Sequence, residues 1–131
     1  MEIPQIGITI KKKTTVTPEL LASYVGSGTI QVYATPMVVA LMEKAAAALV
    51  QPYLDEGITT VGTRIAIDHL SATPQDAQVY AVATLTALNG RKFDFSVEAY
   101  DNGGLIAKGE HTRFSVKADT FLKKAQEKLE V

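Results

Sequence analysis

Residues 35–54, TPMVVALMEKAAAALVQPYL, decide how the rest of this chain can fold. Thr35-Pro36 is a helix start, with Thr in the N-cap position and Pro at the first helical one, and the spacing predicts a helix from Pro36 to about Leu54. That helix is apolar nearly all round, so it is expected to be enclosed rather than to lie on a surface. Ala45 to Ala48 are small enough to let a sheet approach its axis. Glu43 interrupts the apolar run, and burying a carboxylate costs several kcal/mol unless it is paired.

Upstream, residues 6–17, IGITIKKKTTVT, alternate weakly and are rich in β-branched residues, as an edge strand would be. Lys11-Lys12-Lys13 then reads as a solvated strand edge. PELLASY, with Pro18 at its first position, is a short helical piece broken by Gly26-Ser27-Gly28, and IQVYA is a short strand. Downstream, the pattern becomes four strands. In 61–70, Ile65, Ile67 and His69 share one face, while Arg64, Asp68 and Leu70 share the other. Segment 77–88 is apolar on both faces, and Asn89-Gly90 is expected to form a type I′ hairpin. Lys92–Tyr100 turns Phe93, Phe95, Val97 and Ala99 to one side. Asp101–Gly104 makes the next turn, 105–116 is the last strand, and 118–129 closes the chain as an amphipathic helix using Phe121, Leu122, Ala125 and Leu129.

One strand, a long helix and an antiparallel meander make an α+β fold in which the sheet wraps around one long central helix, the hotdog arrangement. A single sheet on one helix leaves apolar surface uncovered, so a homodimer is expected.

Composition narrows the function classes. The 131 residues, 47% of them hydrophobic, suit a single domain spanning 1–131. A formal charge of −1 with interspersed signs gives no footprint for nucleic acid or anionic membrane. The absence of cysteine removes thiolate nucleophiles and Cys-type zinc sites, and two histidines leave little for a metal, so neither metal nor organic cofactor is expected. No charged n-region opens the chain and Glu43 and Lys44 break its longest apolar run, so a cytoplasmic protein is the expectation.

Thr35, Glu43 and His69 together offer a hydroxyl, a carboxylate and an acid/base imidazole, the types that acyl transfer needs. Each also has a bland reading. Thr35 could be only a cap, Glu43 could pair with Lys44 or Arg64, and His69 could be a satisfied core histidine. Thr35 and Glu43 are eight residues apart on one helix, roughly 12 Å, so a shared site is expected at a dimer interface, where an isologous contact generates two of them.

The stretches ATPMVVALMEKAAAALVQPYL, TTVGTRIAIDHLSATP and AKGEHTRFSV resemble the fluoroacetyl-CoA thioesterase-like branch of the hotdog superfamily, over about residues 14–128. The resemblance implies a catalytic set of Thr35, Glu43 and His69, with Gly62 and Arg113 on the substrate side. It implies hydrolysis of an acyl-CoA thioester, with His69 as general base toward water or Thr35, and Glu43 polarising that system or attacking the carbonyl. Gly62 alone also reads as a strand bulge. Arg113 could hold CoA phosphate or the acyl region, or pair with Glu98 or Glu110; His111, on the same strand face, reads as structural. The branch carries an aromatic-rich lid before the Thr, whereas PELLASYVGSGTIQVY has only Tyr24 and Tyr33, so selectivity for a fluorinated acyl group is not carried over. A hydratase or dehydratase acting on acyl thioesters could use Glu43 and His69 but would leave Thr35 idle. A non-catalytic acyl-CoA or small-molecule binding dimer would need neither together.

Overall fold

In the computed structural model, which describes residues 2–130, the elements follow one another as the pattern of turns requires. Strand β1 (Thr9–Thr15) is followed by a 3₁₀ turn (Pro18–Leu20), a short helix α1 (Ala22–Val25) and the long helix α2 (Thr35–Val50). A 3₁₀ turn (Gln51–Tyr53) leads into β2 (Ile58–His69), β3 (Gln78–Asn89), β4 (Lys92–Asp101) and β5 (Gly104–Lys117), and α3 (Ala118–Gln126) ends in a last 3₁₀ turn (Glu127–Glu130). The five strands form one antiparallel sheet in the order β1-β3-β4-β5-β2. The sheet curves over α2, which touches all five strands, and this is the hotdog arrangement.

The core lies between helix and sheet. Val38, Leu41, Met42, Ala45, Ala46, Leu49 and Val50 form the buried stripe of α2 at the i, i+3, i+4 spacing of a helix face. Against it stand Val79, Ala81, Ala83 and Leu85 of β3, and Phe93, Phe95, Val97 and Ala99 of β4. The alternation read from Lys92–Tyr100 therefore points as expected, and the small alanines allow helix and sheet to close up.

Local expectations differ in six places. Helix α2 is not enclosed within one chain: Thr35, Pro36, Ala40 and Lys44 are exposed and Val39, Glu43, Ala47 and Ala48 half-buried, because one sheet covers only one side of a helix. Thr35 is not the N-cap. Ala34 holds that position, Thr35 is already helical, and no side-chain hydrogen bond caps the end. PELLASY is two pieces interrupted at Leu21, with Gly26 in the left-handed region (φ 91°) ending the second. IQVYA forms only isolated bridges, Tyr33 to Leu21 and Val32 to Pro74. The β3–β4 turn is centred on Gly90-Arg91, with Asn89 paired to Lys92; φ is positive at Gly90 (61°) but not at Arg91, so it is not a type I′ turn. The apolar face of α3 and of the turn after it finds little to cover it, leaving Phe121, Leu122 and Leu129 exposed.

Candidate active site

Thr35 and His69 come together at the junction of α2 and the end of β2. The first helical turn presents the Thr35 side chain outward, and the period of two along β2 puts His69 on the helix side with Ile67. Thr35 Oγ1 lies 2.6 Å from His69 Nδ1. The hydroxyl is thus spent on the imidazole, which is the physical reason it does not cap the helix. Among the described residues, His69 Nε2 is shielded from water and has no hydrogen-bond partner. If the hydroxyl donates to Nδ1, the neutral ring carries its proton on Nε2, and that N–H points at nothing in this chain.

The pair opens on a cleft of about 310 Å³ whose walls include Val32, Tyr33, Leu70 and Ser71. Tyr33 is buried, donates to Met37 O at 3.3 Å, and has its phenol pushed up to about 12 by burial. Tyr24 faces solvent, and among the described residues it is Tyr33 that gives the cleft its aromatic wall.

Glu43 lies elsewhere, two turns along α2 and outside the lining of that cleft. It pairs with neither Lys44 nor Arg64. Its Oε2 stands 3.9 Å from Arg113 Nη1, with 39% of its side chain exposed against 10% for the arginine. Arg113 in turn does not pair with Glu98 or Glu110, and it is Arg64 that meets Glu110, at 3.6 Å on the surface. The Arg113 Nε donates to Thr60 Oγ1 at 2.8 Å and Nη2 to Thr60 O at 2.9 Å. Burial pulls the guanidinium pKa down and the Glu43 carboxylate pushes it back up, so the cation persists beside its partner.

Gly62 serves both of its readings. The β2–β5 register slips between Gly62 and Arg64, so it borders a bulge. A Cβ built there would lie 2.8 Å from Glu43 Oε2, 3.1 Å from His111 Cε1 and 3.4 Å from Arg113 Nη1. Glycine is therefore what lets the edge strand pass over the carboxylate.

Nothing in the sequence points to Thr60, and His111 reads there only as structural. The signal was faint but present: His111 and Arg113 are two polar residues on the inward face of a strand, a place apolar residues usually hold. Among the described residues no group of three acidic or histidine side chains could hold a metal, and no helix is long and apolar enough to cross a membrane.

Comparison with known proteins follows the same lines. A family model described as FlK, fluoroacetyl-CoA-specific thioesterase, matches residues 16–119. The fluoroacetyl-CoA thioesterase of Streptantibioticus cattleyicolor is 35% identical over 98 residues, covering 75% of this chain and 70% of that protein. A solved structure of the fluoroacetyl-CoA thioesterase FlK matches with a TM-score of 0.93 at 28% identity, over 97% of this chain and 98% of that one. A Thermus thermophilus hypothetical protein described as a thioesterase superfamily member matches with a TM-score of 0.89 at 27% identity, over 99% and 98% of the two chains.

Proposed function

The chain belongs to the fluoroacetyl-CoA-specific thioesterase family, and we propose that it hydrolyses short or small acyl-CoA thioesters at a site on a homodimer interface, using Thr35, Glu43 and His69. The observation that carries the reading is the 2.6 Å contact from Thr35 Oγ1 to His69 Nδ1, with Nε2 buried and unpartnered on the far side of the ring. An imidazole held by a hydroxyl on one nitrogen and free on the other lacks only a carboxylate to complete an acyl-transfer set.

The chain's own Glu43 is held by Arg113 away from that cleft. A twofold-related copy supplies the missing group: the uncovered side of α2 and the unpaired edge of β2 carry Glu43 and Gly62 and are where a partner would seat. His69 Nδ1 then takes the proton of Thr35, or of a water held at its hydroxyl, as the oxygen attacks the thioester carbon. The partner's Glu43 accepts a hydrogen bond from Nε2–H and stabilises the imidazolium, which returns its proton to the departing CoA thiolate; where Thr35 attacked, a water activated by the same imidazole then hydrolyses the acyl-threonine ester and frees the acid. Gly62 leaves space beside the carboxylate for the acyl group. Arg113 serves the acyl side of the site through Glu43, since its buried donors are turned inward. The cleft of about 310 Å³ suits a small acyl group.

A panel of acyl-CoAs assayed by free-thiol release tests the activity, and mass spectrometry of quenched enzyme tests the route. Turnover of short-chain substrates is expected. No thiol release from any acyl-CoA would overturn the reading, and an acyl adduct on Glu43 would replace Thr35 or water as the attacking group.

A further inference from the structure

His111 is 1% exposed, stacked on Phe95 with ring centroids 6.0 Å apart, and both its nitrogens are engaged. Its Nε2 lies 3.1 Å from Arg113 Nη1 and its Nδ1 2.8 Å from Arg64 O. A guanidinium has only donors and a carbonyl only accepts, so Nε2 must be the lone-pair nitrogen and Nδ1 must carry the proton. A neutral imidazole of that one tautomer satisfies both contacts. The same Arg113 nitrogen that meets His111 is the one facing Glu43 Oε2, while the other two nitrogens are held by Thr60.

We propose that His111 is a positioning residue for the hydrolysis, fixing through Arg113 where Glu43 presents its carboxylate. The inference rests on the reading that Glu43 belongs to a thioester-hydrolysing site. An apolar residue would fill the same space beside Phe95 but would leave Nη1 with no acceptor except Glu43, and the arginine and carboxylate would draw together away from the position the site needs. Protonation would have a similar effect, setting an N–H against the guanidinium. The groups that face the ring act as this requires: burial lowers its pKa most and Arg113 lowers it further, against the Arg64 carbonyl bond and Glu43 from α2, while from β4 the uncharged Phe95 stacks on it and Lys92 and Asp94 line the cavity it borders.

Three variants separate this role from a structural one. H111Q can place an amide oxygen near Arg113 Nη1, H111N keeps a donor for the Arg64 carbonyl but falls short of the arginine, and H111L does neither. H111N and H111L are expected to lower kcat by on the order of tenfold with KM changed by less than about twofold, and H111Q to stay within about threefold of the parent. Unchanged turnover in all three, or rescue by Asn but not Gln, overturns the proposal. Long-range ¹H–¹⁵N spectra of the parent protein supply a readout that needs neither activity nor a folded variant. The neutral Nδ1–H form is expected at pH 7, and an Nε2–H tautomer or an imidazolium overturns the contact. A parent inactive on every acyl-CoA would sink the thioesterase reading, and the tautomer would still decide whether His111 holds Arg113.

Discussion

At the scale of single residues, the hydrolysis we propose rests on three side chains, Thr35, Glu43 and His69, and on Gly62 as the position that leaves space beside one of them. His69→Ala and Glu43→Gln are each expected to lower turnover by about 10²-fold or more with folding nearly intact, and the double variant to lose much less than the product of the two. Kinetics at matched folded concentration checks this; falling melting temperature with unchanged activity per folded molecule would point to structural roles instead. Gly62→Ala tests the space beside Glu43. Its backbone is not in the left-handed region, so the new methyl meets only the carboxylate at 2.8 Å and its neighbours. A displaced carboxylate should reduce kcat by roughly tenfold or more, because misplacement by about an ångström is costly in a preorganised site. A kcat equal to the parent's would show that Glu43 yields without consequence.

At the scale of elements, the start of α2 separates function from capping. A capping threonine replaced by alanine costs about 1 kcal/mol. Thr35 caps nothing and instead bonds His69, so Thr35→Ala should leave thermal stability nearly unchanged while depressing turnover, and Thr35→Ser should be milder in turnover. A clear drop in melting temperature would argue that the hydroxyl supports the helix after all. The β3–β4 hairpin makes the complementary point. Gly90 turns with φ 61°, so Gly90→Val should cost about 1–2 kcal/mol in urea unfolding without touching kcat.

At the scale of the whole molecule, Thr35 and His69 stand apart from Glu43 within one chain, so the site we propose is a property of a dimer. Light scattering should report a dimer at micromolar concentration. Mixing Thr35→Ala with Glu43→Gln subunits, each nearly inactive alone, should restore about a quarter of parent activity, since about half of random dimers are mixed and each has one of its two sites intact. No recovery would place the whole set within one chain. Stability should also sense pH through His111. Its folded pKa lies below the ordinary value near 6.5, so the unfolded chain takes up the proton first. The histidine's contribution is fully present above that value and is lost as pH falls toward the folded pKa. Denaturant midpoints should decline below about pH 6.5, and the decline should be shallower in H111Q.

The sequence by itself determined the order of elements, the inward face of β4, the α+β class and the identity of the likeness, because period, turn residues and motif spacing are local properties of a chain. It also brought Thr35 and His69 forward as residue types suited to one chemistry. Only the tertiary structure decided that Thr35 gives up the cap for the imidazole, that Glu43 goes to Arg113 rather than Lys44 or Arg64, and that Thr60 and His111 stand behind them. The contacts of Thr35 with His69 and of Arg113 with Thr60 and Glu43 join residues 34 to 70 positions apart, set by strand register and by a bulge beside Gly62, and His111 meets Arg113 along β5 only because both face inward there. No local pattern encodes which of several acceptors a guanidinium will meet, and the choice is made when β2 and β5 pair over the helix.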